Sequence, residues 1–171
     1  MSLHACINTE EAAAGATDNI QGLEQTQRAL SGRVILCISD SKRVLERRET
    51  ILSALGCNVI CALEGAKALR SVRRHPVDLA LMELRTPGTH GELIVINLKI
   101  ARPRMPIILV AQDFDEVPLS ISHLASRILQ QGICSTELLH EIACVVMEQG
   151  AHRNVWRFRP ELESNLEEVH A

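Results

Sequence analysis

Apolar positions along this chain alternate between two periods. VILCI (34–38) is a short β-branched run of the kind that forms a strand buried on both sides, and it ends at Ser39-Asp40-Ser41. Val44, Leu45, Arg48, Ile51, Leu52 and Leu55 then recur at helical spacing, and Gly56 is placed to close that helix in the left-handed region. CNVICA (57–62) predicts a second strand, and Gly65 to His75 a helix with Ala68, Leu69 and Val72 inward, stopped by Pro76. VDLALME (77–83) reads as a buried strand, Thr86-Pro87-Gly88 as a turn, and Gly91 to Arg102 as a helix ending before Pro103. PIILVA (106–111) is a further apolar strand, Asp113 to Ser126 a loop with a short helix, and ILQ (128–130) a brief strand. Ser135 is placed to cap a helix running to about Gln149.

Strands alternating with helices imply β/α units with right-handed crossovers. The strands are apolar throughout, as a sheet covered on both faces requires. The expected class is α/β: a doubly wound, five-stranded parallel sheet with helices on both faces. The domain is expected over residues 33–149, preceded by a flexible segment (1–32) and followed by an acidic tail (150–171). Within the first segment only Ile20, Leu23, Gln27 and Leu30 hint at a weak amphipathic helix.

Composition narrows the function. Of 171 residues, 46% are apolar but only 2% aromatic, so the core must be aliphatic and base stacking on aromatic platforms is nearly excluded. The longest apolar run, Met105 to Ala111, is too short to span a bilayer, and the acidic N-terminus does not resemble a secretory signal. A cytoplasmic protein is expected. Most of the six cysteines sit in apolar stretches, and Cys57-x3-Cys61 reads as buried thiols rather than a zinc site. The net charge of −3 is unevenly spread: residues 33–104 carry 13 Lys/Arg against 7 Asp/Glu, whereas residues 105–171 carry 4 against 10. That split favours protein contacts over nucleic acid. Lys42, Arg43, Arg47 and Arg48 on one helix, and Lys67, Arg70, Arg73 and Arg74 on the next, read as solvated faces.

In an open parallel sheet, chemistry collects at the carboxyl ends of the strands. Here those ends carry Ser39-Asp40, Glu83, Ala111-Gln112 and Gln131-Gly132. Asp40 and Glu83 should lie side by side in a small acidic pocket.

ILCISDS (35–41), HPVDLALMELRTPGTHG (75–91), PIILVA and ILQQG follow one another at intervals that resemble the receiver domain of two-component response regulators. The resemblance covers residues 33–149 and implies the flavodoxin-like receiver fold, in which an aspartate takes a phosphoryl group from a histidine kinase. It also implies roles for particular positions. Glu83 stands at the phosphoacceptor, and Ser39 and Asp40 stand at the acidic pair that holds Mg2+. Ala111 stands at the switch hydroxyl and Gln131 at the lysine.

Each of these except Asp40 departs from the family pattern. Glu83 carries its carboxylate one methylene further out, and a misplacement of roughly 1 Å can cost on the order of 100-fold in rate. With one carboxylate of the pair gone, only a weak Mg2+ site at Asp40 and Glu83 is left. Gln131 offers a dipole where a full charge would stabilise the phosphoryl group, and Ala111 offers no hydrogen bond. The expectation is a pseudo-receiver in phosphorelay signalling, not an enzyme, with no cofactor, that works by binding a histidine kinase or other regulator. Glu83 reads either as a permanent mimic of the phosphorylated state or as drift in a pocket without chemistry. The alternatives are a regulator that is still phosphorylated and a flavodoxin-like small-molecule binder. The latter lacks support in SDSKRVLERR, which holds no glycine to cradle a phosphate.

Two features suggest contacts. On the helix Gly91–Arg102, Ile94, Val95, Leu98 and Ala101 form a stripe assigned to the sheet. Leu93, Ile96 and Ile100 form a second stripe, the candidate interface for a protein partner or a homodimer. In the tail, Trp156 and Phe158 precede Glu161, Glu163, Glu167 and Glu168, which reads as a disordered end or as a segment docking on the basic helices.

Overall fold

The computed structural model describes residues 22–84 and 90–155. A first helix, α1 (residues 22–30), leads into β1 (Val34–Ile38), α2 (Lys42–Ala54), β2 (Asn58–Ala62) and α3 (Gly65–Arg74). Then come β3 (Leu79–Leu84), α4 (His90–Ala101) and β4 (Ile107–Ala111). A 3-10 turn (Phe114–Glu116), α5 (Leu119–Ser122), β5 (Arg127–Gln130) and α6 (Ser135–Val155) complete the order. All four strand pairings are parallel, in the order β2-β1-β3-β4-β5.

Strand alternation divides the core into two layers. Ile35, Cys37, Leu79, Leu81, Ile108 and Val110 face α1, α2 and α6, where they pack with Leu30, Leu45, Leu52, Ile142 and Val146. Leu36, Ile38, Ala80, Met82, Ile107 and Leu109 face α3, α4 and α5, where they meet Ala68, Val72, Val95, Leu98 and Ile121. Among the described residues no aromatic side chain belongs to either layer, in keeping with the composition.

Helix ends follow local chemistry. Gly56 has φ of +81°, and the amides of Gly56 and Cys57 donate to the carbonyls of Ser53 and Leu52, which closes α2 in a Schellman motif. α6 is capped one residue earlier than Ser135. Cys134 accepts the Leu138 amide on its carbonyl and the Glu137 amide on its thiol.

Two boundaries and the facing of one side chain differ from the sequence expectation. Residues 22–30 are helical and Leu30 is fully buried, so the packed domain begins before Arg33. One apolar residue per turn gives a weak periodic signal, but it suffices when the helix lies against a core that needs covering. α6 runs past Gln149 to Val155. Ile96 on α4 is half-buried against the second core layer and does not belong to an outward stripe. The expectations for residues 1–21, for the Thr86-Pro87-Gly88 turn and for the tail from Trp156 onward lie outside the described residues.

Candidate functional site

The chain passes from β1 outward to β2 and then back to β3, so the carboxyl ends of β1 and β3 flank the topological switch point of the sheet. Ile38 pairs with Met82, which sets Ser39 and Glu83 abreast just beyond it. Both share strand parity with Cys37 and Leu81, and both therefore face α2.

Three side chains meet there. The Ser39 hydroxyl donates to Glu83 Oε2 at 2.6 Å and accepts the Ser41 amide at 3.1 Å. Arg48 Nη2 donates to Glu83 Oε1 at 3.2 Å, and the two side chains keep only 8% and 7% of their surface in solvent. Both oxygens of the carboxylate are thus occupied, one by a neutral donor and one by a cation. Arg48 Nη1 is also buried and has no hydrogen-bond partner. Desolvation pulls the Arg48 pKa down and the Glu83 charge opposes that pull. Beneath the pair, burial pushes the Cys37 thiol up to about 12, with Arg48 acting in the opposite direction.

The other positions lie around this cluster. Asp40 follows Ser39 in the chain and is exposed. Ala111 is buried at the end of β4, where it pairs with Leu84, and its carbonyl accepts the Gln131 amide at 2.7 Å. Gln131 is exposed and is followed by Gly132 at φ of +94°. The residue that meets Glu83 from the end of β1 is thus Ser39, where the strand ends led to the expectation of Asp40.

Arg48 is the residue whose role the sequence did not reveal. Its basic neighbours suggest a solvated face, and Lys67, Arg70, Arg73 and Arg74 on α3 are indeed exposed. The signal for Arg48 is its place in the inward stripe, one helical turn from Leu45 and one from Leu52, both buried. A cation on an apolar stripe needs an anion within reach.

The divalent cation that the family resemblance implies does not fit these residues. The acceptor oxygens of Glu83 are taken by an arginine and a hydroxyl. Among the described residues, no group of three or more His, Cys, Asp or Glu could hold a metal ion.

The sequence profile of the response regulator receiver domain matches residues 35–142, well over half of the chain, and the protein belongs to that family. It is 30% identical over 69 residues to the sensor histidine kinase GacS of Pseudomonas protegens, covering 39% of this chain and 8% of the kinase. It is 29% identical over 83 residues to the response regulator GtcR of Aneurinibacillus migulanus, covering 48% of this chain and 34% of the regulator. The chain thus spans about a third or less of each curated relative. A CheY-like receiver domain from Methanospirillum hungatei superposes with a TM-score of 0.63 at 23% identity, covering 71% of this chain and 99% of that one. The receiver domain of an HD domain-containing protein from Pseudomonas fluorescens gives 0.64 at 22%, covering 72% and 93%. The fold is therefore the flavodoxin-like receiver fold. No helix among the described residues is long and apolar enough to cross a membrane.

Proposed function

We propose that this protein is a pseudo-receiver: a cytoplasmic, non-enzymatic member of a two-component or phosphorelay network that acts by docking on protein partners and takes up no phosphoryl group. The observation that carries this reading is the buried Ser39–Glu83–Arg48 cluster. A nucleophilic carboxylate needs an oxygen free to attack and a partner that stabilises the transferring group. Here both oxygens are engaged, Ala111 has no hydroxyl and Gln131 has no charge. The same cluster favours a fixed conformation over a mimic of phosphorylation, because the single charge of Glu83 is neutralised inside the domain by Arg48. The partners proposed are a histidine kinase or another regulator, with the outward positions Leu93 and Ile100 of α4 as the contact surface and a homodimer as its other use.

The direct test is intact mass spectrometry after incubation with acetyl phosphate and MgCl2. An unchanged mass is expected. A single phosphoryl adduct that disappears in Glu83→Gln overturns the reading.

A further inference from the structure

We infer that Arg48 is the built-in cation of this site, and that it keeps closed a pocket that would otherwise bind a divalent metal ion. This deepens the proposal of a receiver that takes up no phosphoryl group and rests on it. Its readout is cation binding, however, so the two readings can fail separately.

Glu83 sits at the carboxyl edge of β3 with its side chain more than nine-tenths buried, where an ionised carboxylate requires a countercharge. Arg48 meets that requirement from α2, and its reach is fixed because Leu45 and Leu52 anchor the turns on either side of it in the core. The guanidinium is used as a charge more than as a fork. It touches Glu83 through Nη2 alone, while Nη1 is buried without a partner. An arginine selected for carboxylate recognition would normally present two parallel donors. With one contact and an unused donor, the guanidinium acts on Glu83 chiefly as a positive charge.

The groups left if Arg48 is removed are hard oxygen donors. They are the Glu83 carboxylate and the Ser39 hydroxyl 2.6 Å away, with Asp40 next in the chain. Such donors suit Mg2+ or Mn2+ rather than softer metals. A pocket that keeps its anion and loses its internal cation should recruit one from solution.

The experiment uses the full chain and Mn2+ alone as the probe, counted from the electron paramagnetic resonance signal of the free ion. Thermal unfolding in MgCl2 is compared with NaCl of equal ionic strength. Wild type should show no Glu83-dependent Mn2+ binding and no Mg2+-specific shift. Arg48→Gln should bind Mn2+ at least about tenfold more tightly than wild type and melt higher in MgCl2. The double variant Arg48→Gln with Glu83→Gln should lose both effects, and Arg48→Lys, which keeps the charge, should behave as wild type. If Arg48→Gln does not fold in metal-free buffer, MgCl2 should restore its fold, and should not do so once Glu83→Gln is added. Glu83-dependent Mn2+ binding by wild type, or an Arg48→Gln chain that neither binds Mn2+ nor responds to Mg2+, overturns the inference.

Discussion

Arg48 and Glu83 form an ion pair at 3.2 Å between a helix and a strand, with less than a tenth of either side chain in solvent. Breaking such a pair from one side leaves a buried charge without compensation, which typically costs about 3–5 kcal/mol, whereas replacing both partners by apolar groups is often close to neutral. Arg48→Met and Glu83→Leu made singly should each destabilise on that scale, and the double variant should recover most of the loss. A double-mutant cycle from urea denaturation measures this. Additive losses would mean that the two charges are not coupled.

Glu83→Asp should not by itself produce a phosphoacceptor. It shortens the side chain by one methylene, but Ser39, Ala111 and Gln131 remain as they are and Arg48 stays in the pocket. Intact mass after acetyl phosphate and MgCl2 should show no adduct on this variant. Labelling of Glu83→Asp would show that chain length alone blocks the chemistry and that the other substitutions are tolerated.

The buried thiols give the protein an alkaline limit. Burial pushes Cys37 from 9.0 to about 12, and burial also raises Cys57 and Cys61. A raised folded-state pKa contributes stability that is fully present below the unfolded value and is lost as pH climbs through the folded one. For Cys37 the window runs from about pH 9 to about pH 12. Within it, one proton of difference lowers stability by roughly 1.4 kcal/mol per pH unit. Urea midpoints measured from pH 8 to 10.5 should fall, and Cys37→Ala should flatten the slope. Native-state labelling should modify exposed Cys134 well before buried Cys37.

Helix α1 should behave as part of the domain. Leu30 is fully buried in the layer formed by α2 and α6, its carbonyl accepts the Cys57 thiol at 3.4 Å, and the Gly32 amide donates to Gly56 at 2.8 Å. Leu30→Ala removes core volume at a typical cost of about 2–5 kcal/mol. Leu23→Ala, at a half-exposed position of the same helix, should change stability by no more than about 0.5 kcal/mol. Equal effects from the two variants would remove α1 from the core.

What the sequence made legible was whatever repeated. Five apolar runs and the helical stripes between them marked out the sheet and its covering helices, because burial on both faces leaves a strand apolar throughout and burial on one face leaves a helix with a readable period. The end of each strand was legible too, which brought the Ser39-Asp40 corner beside Glu83, but the pattern pointed to Asp40 as the neighbour where the hydrogen bond comes from Ser39. Two kinds of feature were not. Leu30 belongs to a helix with too few apolar residues to stand out, and its burial is decided by a core assembled from later segments. Arg48 lies among other basic residues of α2, and a one-residue change of helical phase separates solvent at Arg47 from the buried pocket at Arg48. Only a partner 35 positions away explains the difference, and distant pairing leaves no mark in local pattern.

The outward face of α4 yields the last prediction. Val95 and Leu98 are buried beneath the helix, and Ile94 packs so closely on α3 that a Cβ on Gly65 would lie 2.5 Å from its Cγ1. Ile96 is half-buried. Leu93 and Ile100, two turns apart on one line, remain 54% and 73% exposed. Their environments imply different responses to charge. Leu93→Lys with Ile100→Glu should leave the urea midpoint within about 0.5 kcal/mol per site, as substitutions at exposed positions usually do. Ile96→Glu should destabilise by more, because its carboxylate would be desolvated against the core. If the exposed pair forms the contact surface, sedimentation of wild type should show mass rising with concentration, or a kinase receiver partner should be retained on immobilised protein. The Leu93/Ile100 variant should lose that behaviour while staying folded. A wild type that is monomeric at every concentration, with partner retention unaltered by the double change, removes this face from the interaction surface.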